Sequence, residues 1–119
     1  MEILWLNGIG VINKTNKGMK MIDLTKENFG QETENNQILI DFWAPWCGPC
    51  RQQEMVLNKF DMIKIGKVNI DSEPELASKF SISSIPTLIL LDKGIEKFRA
   101  IGTQPEIILK KEIENIIVK

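Results

Sequence analysis

The chain contains two cysteines, Cys47 and Cys50, which are separated by two residues. A disulfide between them would close a loop too short to stabilise a fold, so we interpret the pair as chemically reactive rather than structural. The chain has no histidine, which removes the commonest general base and the commonest metal ligand. A zinc site would have to take its other ligands from carboxylates, and we therefore predict no metal. A zinc-binding dimer that shares two cysteine pairs stays an alternative.

The cysteines lie in the segment Trp46-Cys47-Gly48-Pro49-Cys50, directly after an apolar run typical of a buried strand. This placement predicts Cys47 at the amino-terminal end of a helix, where free backbone N–H groups and the helix dipole lower the pKa of a thiol. Cys50, one turn further on, is expected to stay protonated and more buried. Pro49 stiffens the turn, and the spacing lets both sulfurs form a disulfide without unwinding the helix. Two inert core thiols are the alternative interpretation.

Apolar periodicity around this segment predicts alternating strands and helices, which is typical of an α/β fold. Residues 38–43 form a nearly continuous apolar run and are predicted as the central strand. A tight turn is predicted at residues 92–94, Asp-Lys-Gly. The predicted elements are strand 21–24, a helix from Thr25 to about residue 31, strand 38–43, a helix from Gly48 to about residue 60, strand 63–70, a helix with a capping box of Ser72 and Glu75 to about residue 80, strands 87–91 and 95–101, and a last helix with a capping box of Thr103 and Glu106.

The first 20 residues differ from the rest, because glycines and asparagines interrupt every periodic pattern there. We therefore divide the chain into an N-terminal extension, residues 1–20, and one domain, residues 21–119. Met19 and Met21 are alternative starts. The extension is interpreted as an upstream segment or an artificial remnant, and an extra edge strand at residues 3–6 is the alternative.

The composition excludes several classes of function. The chain has 119 residues, of which 43% are hydrophobic, so we expect one globular core and no disordered chain. Lys and Arg number 15 against 16 Asp and Glu, a net charge of -1, and we expect no nucleic-acid partner. No apolar run approaches the roughly 20 residues that cross a bilayer, so no membrane association is expected. A lone pair of closely spaced cysteines favours a reducing cytoplasm.

Asp41 is the acidic residue inside the predicted central strand. An ionised carboxylate between Ile40 and Phe42 would be costly to bury, so the pKa of Asp41 is expected to be raised. Such a group can take up or release a proton near neutral pH. An acid at the strand edge that faces solvent is the alternative.

The chain resembles the thioredoxin family in four motifs, which occur in the family's order and spacing. They are Asp41-Phe42-Trp43-Ala44, Trp46-Cys47-Gly48-Pro49-Cys50, Val68-Asn69-Ile70-Asp71 and Ile85-Pro86-Thr87. The resemblance covers residues 21–119 and implies the thioredoxin fold, a mixed sheet of four or five strands with helices on both faces. Strands 38–43 and 63–70 are then parallel, and the last two strands are antiparallel.

The resemblance also implies an activity, the reduction of protein disulfides by dithiol–disulfide exchange. In this reaction Cys47 attacks the substrate disulfide, Cys50 resolves the mixed disulfide, and Asp41 accepts the proton of Cys50 through a water molecule. No bound cofactor is implied, and reducing equivalents come from NADPH through a thioredoxin reductase. The expected partners are disulfide-containing proteins and this reductase, and we expect a cytoplasmic monomer.

The resemblance also implies roles for residues outside the cysteine motif. Pro86 matches the family's cis-proline beside the sulfurs, which leaves the backbone at Ile85 free to pair with an extended substrate. Trp43 is expected to pack as core near the site. The docking surface implied by the resemblance consists of Trp46, Ile85, Pro86 and Gly102.

Lys67 matches the family lysine that approaches the buried acid, and strand alternation points it the same way as Ile63 and Ile65. A solvated surface lysine is the alternative. The chain departs from the family at Met55, where the helix usually carries a proline that kinks it. The segment 60–63 is also shorter than usual, which predicts an early end to this helix.

Two alternatives to a general reductase stay open. An isomerase or a reductase for one client would use the same two thiols, and the redox potential together with turnover by a reductase distinguishes it. A binding subunit would use the fold with incidental thiols, and its function would survive replacement of both cysteines by serine.

Overall fold

The computed structural model describes residues 5–6, 9–10 and 21–117 of the chain. In these residues one five-stranded sheet carries helices on both faces, as the alternating pattern predicts. The strands are β1 (Trp5–Leu6), β2 (Ile9–Gly10), β3 (Ile22–Asp23), β4 (Gln37–Trp43), β5 (Lys64–Asn69), β6 (Thr87–Asp92) and β7 (Ile95–Ile101). The helices are α1 (Phe29–Thr33), α2 (Gly48–Leu57), α3 (Pro74–Lys79) and α4 (Glu106–Ile117).

The central strand of the five-stranded sheet is β4, and the order of strands is β3-β5-β4-β6-β7. β5 pairs in parallel with β3 and with β4, whereas β6 is antiparallel to β4 and β7 is antiparallel to β6. The predicted parallel and antiparallel pairs are confirmed. Each residue from Ile38 to Phe42 is fully buried, as expected of a strand that is covered on both faces.

Side chains of β4 alternate between two hydrophobic cores, one on each face of the sheet. Ile40 packs in the first core with Phe29 of α1 and Leu76 of α3. Leu39 packs in the second core, which α2 and α4 cover. Because side chains two residues apart share a face, Asp41 lies on the same face as Leu39, below α2.

The hairpin of β6 and β7 is closed by Lys93 and Gly94, whose φ angles are 54° and 84°. Both residues therefore adopt the left-handed conformation that a two-residue hairpin turn requires. Glycine adopts this conformation without a steric penalty. The predicted turn at residues 92–94 is confirmed.

Helix α1 begins later than predicted, at Phe29 rather than after Thr25, and Asn28 is its N-cap. The N–H of Asn28 donates to Oγ1 of Thr25 at 3.3 Å, and the N–H of Thr25 donates to Oδ1 of Asn28 at 2.8 Å. These reciprocal bonds close a separate turn in front of the helix. Thr25 therefore stabilises that turn and does not cap α1.

The capping box predicted for α3 is wrong. The helix begins at Pro74, and its N-cap, Glu73, makes no side-chain capping bond. The hydroxyl of Ser72 donates instead to the carbonyl of Asn69 at 3.4 Å. Proline favours the first helical position because its missing N–H would have no partner there, and this preference moves the start of the helix past Ser72.

The capping box predicted for α4 is wrong as well. Thr103 lies before the helix, which begins at Glu106. The carbonyl of Pro105 accepts the first helical bond, from the N–H of Leu109 at 3.0 Å. The fixed φ angle of the proline thus determines where helical geometry begins.

Helix α2 ends at Leu57, before the predicted limit near residue 60. The N–H groups of Lys59 and Phe60 donate to the carbonyls three residues earlier, at 3.1 Å and 3.0 Å. These shorter bonds tighten the chain after the last helical turn. The early end expected from the short segment 60–63 is confirmed.

Residues 5–6 and 9–10 pair with each other as a short parallel ladder. The other residues of segment 1–20 lie outside the described residues, so its division from the domain stays a prediction. In the part of the chain that the structure describes, no helix is both long and apolar enough to cross a membrane.

Candidate active site

Cys47 and Cys50 form a disulfide at the amino-terminal end of α2, with their Cα atoms 5.3 Å apart. Cys47 is the N-cap of the helix, and its Sγ atom accepts a hydrogen bond from the N–H of Cys50 at 3.1 Å. The N–H of Cys47 itself donates to the carbonyl of Ala44, which closes the turn that follows β4. The predicted position of Cys47 at the start of a helix is confirmed.

Between the two buried cysteines, the dipeptide Gly48-Pro49 is exposed. Cys47 exposes 5% of its surface and Cys50 exposes 3%. Cys50 is therefore the more buried of the two cysteines, as expected, but their exposed fractions differ little in this disulfide form.

The two tryptophans beside the cysteines have different surroundings. Trp46 is 66% exposed, and its indole N–H donates to Oδ2 of Asp71 at 2.9 Å. Trp43 packs against the cluster of Ala44, Cys47 and Cys50, as expected of a core residue. The bond to Asp71 holds the Trp46 ring at the rim of the site.

The peptide bond between Ile85 and Pro86 is cis, as the resemblance implied. The carbonyl of Pro86 accepts the N–H of Gly102 at 2.8 Å, and Gly102 has a φ angle of 92°. Ile85 packs against the cysteine cluster. The structure thus brings Ile85, Pro86 and Gly102 together next to the disulfide.

A shallow groove of about 370 Å³ begins at this point of the surface. Its lining combines apolar side chains with two serines. The lining residues are Trp46, Ile70, Ile82, Ser83, Ser84 and Ile85. An extended chain with apolar side chains has the shape and the polarity to occupy such a groove.

Asp41 is fully buried, and neither of its carboxylate oxygens has a hydrogen-bond partner among the described residues. Burial raises the pKa of Asp41 from 3.8 to about 7, opposed by the positive charge of Lys67 and assisted by the negative charge of Glu54. The expected rise in the pKa is confirmed. At neutral pH this carboxyl group is therefore present in both protonation states.

Lys67 pairs with Asp41 in the register of β4 and β5, so both side chains lie on the same face of the sheet. Its ammonium group is nevertheless bound elsewhere, to Oε2 of Glu54 at 3.3 Å. The same ammonium lies 4.4 Å from the ring centroid of Trp43. The side chain is largely buried, so the alternative of a solvated surface lysine is wrong.

Sequence reasoning missed the role of Gln53, which is fully buried on α2. Its Oε1 atom accepts the N–H of Gln104 at 2.6 Å, and its Nε2 atom donates to the carbonyl of Gln104 at 3.2 Å. The side chain of Gln104 in turn donates to the carbonyls of Ile101 and Gly102. Gln53 therefore ties the helix of Cys50 to the loop of Gly102.

Met55 occupies the position where the family usually has a proline, and α2 continues through it without interruption to Leu57. The Met55 side chain is 67% exposed. Among the described residues, no group of three or more His, Cys, Asp or Glu side chains is placed to hold a metal ion.

A family model described as Thioredoxin matches residues 20–115 of the chain. The chain belongs to the thioredoxin family. It is 41% identical over 100 residues to the thioredoxin of Alicyclobacillus acidocaldarius, an alignment that covers 79% of this chain and 95% of that protein. It is 38% identical over 93 residues to the thioredoxin of Bacillus subtilis, with coverage of 74% and 89%.

A solved structure gives the same result for the fold. A single-residue mutant of a thioredoxin from Halobacterium salinarum superimposes with a TM-score of 0.75 at 29% identity, over 85% of this chain and 94% of that one. The thioredoxin fold implied by the sequence is thereby confirmed. The chain is a thioredoxin-type thiol–disulfide oxidoreductase, and its redox group is the Cys47–Cys50 disulfide. The thioredoxin family needs no bound cofactor.

We expect Gln53→Leu to lower the free energy of unfolding by about 1 to 3 kcal/mol, because the N–H and carbonyl groups of Gln104 lose their partner. Gln52→Leu is the matched control, since Gln52 is the exposed neighbour on the same helix. Urea denaturation of the oxidised protein measures both variants. Equal destabilisation by the two substitutions would contradict the role of Gln53.

Asp41→Asn should make the thioredoxin more stable at pH 8. The pKa of Asp41 is about 7 in the folded chain against an ordinary value of 3.8, so the folded state binds the extra proton between those pH values. The free energy of unfolding of the wild type therefore falls as the pH rises through that range. We expect a gain of about 1 to 4 kcal/mol for the variant at pH 8 and little gain at pH 4. Urea titrations of the oxidised protein that show the same difference at both pH values would refute this prediction.

Proposed function

We propose that this thioredoxin reduces disulfide bonds of protein substrates with Cys47 as the attacking thiol and Cys50 as the resolving thiol. The observation that supports this order most directly is the hydrogen bond from the N–H of Cys50 to the sulfur of Cys47 at the N-cap of α2. In the reduced protein the same donor and the helix dipole stabilise a thiolate at Cys47. Among the described residues, no N–H group donates to the sulfur of Cys50.

The reaction proceeds in two exchanges. The Cys47 thiolate attacks one sulfur of the substrate disulfide, a mixed disulfide forms, and the other substrate sulfur leaves with the electron pair and takes up a proton. The Cys50 thiol then loses its proton, and its thiolate attacks Sγ of Cys47. The second substrate sulfur leaves, so the substrate gains two electrons and two protons while the Cys47–Cys50 disulfide forms.

Asp41 is the proton acceptor for Cys50 in this proposal. Its pKa of about 7 means that the carboxylate form is available at neutral pH and still binds a proton readily. Asp41 lies on the face of the sheet that α2 covers, and α2 carries Cys50. No other acid is fully buried among the described residues, which supports Asp41 over the surface acids.

Substrate proteins dock as an extended segment on the groove beside the disulfide. Trp46 supplies an exposed apolar ring at its rim, and the backbone at Ile85, before the cis Pro86, is available for pairing. The N–H of Gly102 donates to the carbonyl of Pro86, which places Gly102 next to the cis-proline. This arrangement favours an unfolded or surface segment of a protein over a small disulfide molecule.

The oxidised protein returns to the dithiol through a thioredoxin reductase that draws on NADPH, and the chain works as a monomer in the cytoplasm. The family membership supports the reductase, and the single cysteine pair supports a reducing compartment. Cell fractionation tests the compartment, and sedimentation tests the monomer.

Cys47→Ser should abolish insulin reduction in an assay with NADPH and a bacterial thioredoxin reductase. Cys50→Ser should also stop turnover, but it should accumulate a mixed disulfide with the substrate, because the attacking thiolate is intact. Intact-mass measurement detects this adduct. The variant with both serines is the control, and it should form no adduct.

Adduct formation by Cys47→Ser at the rate of Cys50→Ser would contradict the assigned roles. A wild-type redox potential in the oxidising range, or no turnover by the reductase, would remove the general-reductase function in favour of an isomerase or a dedicated reductase.

A further inference from the structure

The acid Glu54 lies four residues after Cys50 on α2, so it is on the same side of the helix as the resolving thiol. Its carboxylate binds the ammonium group of Lys67 at 3.3 Å. The Lys67 side chain exposes 13% of its surface and the Glu54 side chain 39%. This ion pair therefore joins the active-site helix to the strand beside Asp41.

The strand register gives Lys67 a second possible partner. Asp41 and Lys67 lie directly opposite each other on β4 and β5 and share one face of the sheet. A lysine in this place would ordinarily neutralise a buried carboxylate. Among the described residues, however, the carboxylate within ion-pair distance of Lys67 is that of Glu54. Trp43 supports the ammonium group in this position from 4.4 Å.

The charges around Asp41 come from two of the elements packed against it. β5 contributes the charge of Lys67 and α2 that of Glu54, whereas Cys50, also on α2, is in the disulfide. β6 presents Leu88 in register with Asp41, and α4 presents Leu109, both of which are apolar. The negative charge of Glu54 raises the pKa of Asp41, and the same carboxylate binds the nearby ammonium group of Lys67.

We propose that Glu54 is a positioning residue for the resolving step, because it holds the Lys67 ammonium away from Asp41 and so keeps that carboxyl group able to bind a proton at neutral pH. This inference rests on the proposed role of Asp41 as the proton acceptor of Cys50. The proton moves from the Cys50 sulfur to the Asp41 carboxylate, and the thiolate that remains attacks Cys47. An Asp41 carboxylate neutralised by Lys67 would be a weaker base for this transfer.

The test is the titration of the Asp41 carboxyl group, followed by its ¹³C chemical shift in the oxidised protein, where the cysteines do not titrate. In Glu54→Gln we expect the midpoint to move to lower pH by about 0.5 to 1 unit, a three- to tenfold loss of proton affinity. In Lys67→Met we expect it to move to higher pH. Glu114→Gln is the control, since Glu114 is exposed on α4, and it should leave the midpoint unchanged.

A double-mutant cycle tests whether Lys67 carries the effect. In the Lys67→Met background, Glu54→Gln should move the midpoint less than it does in the wild type. Equal movement in both backgrounds would show that Glu54 acts by its own charge alone and would overturn the proposed capture of Lys67. An unchanged midpoint in Glu54→Gln would overturn the inference entirely.

The pH dependence of insulin reduction completes the test, since the acid limb of the rate profile should follow the midpoint of Asp41 to lower pH in Glu54→Gln. A purely structural role of Glu54 would lower the stability or the rate at all pH values and leave this limb in place. The carboxyl titration requires no turnover. It therefore tests the role of Glu54 even if the reductase assay shows no activity and so refutes the proposed function.

Discussion

The proposed reaction depends on one contact, the bond from the N–H of Cys50 to the sulfur of Cys47. It exists because β4 ends at Trp43 and the next four residues turn the chain so that Cys47 becomes the N-cap of α2. A thiolate at this position receives backbone donors that have no other partner in the helix. In the proposed reaction, the end of β4 and the start of α2 place that sulfur where a substrate disulfide is attacked.

Much of the fold could be predicted because its signals are local. The apolar run of residues 38–43 identifies the buried central strand, and Lys93-Gly94 identifies the hairpin turn. The helix starts were harder to predict, because several local bonds compete there. Thr25 had a side chain suited to capping, but the reciprocal bonds with Asn28 form a turn instead. Before α3 and α4, a proline determined the start where a capping box had been expected.

The candidate site likewise has features that could be predicted from the sequence and features that could not. The burial of Asp41 follows from its apolar neighbours Ile40 and Phe42, so its raised pKa could be expected from the sequence. The roles of Gln53 and Glu54 could not be expected, because a polar stretch on a short helix predicts a solvated face. Only the packing of α2 against the sheet and the Gly102 loop brings Gln53 to Gln104 and Glu54 to Lys67. Both residues act through contacts that are distant in the sequence.

The most direct test of this account is the pH dependence of alkylation of the reduced protein, with each cysteine followed separately by peptide mass spectrometry. The account predicts that Cys47 reacts first and titrates well below the ordinary thiol value of about 8.5, while Cys50 stays unreactive at neutral pH. Titration of Cys47 near the ordinary thiol value, or equal reactivity of both cysteines, would contradict it.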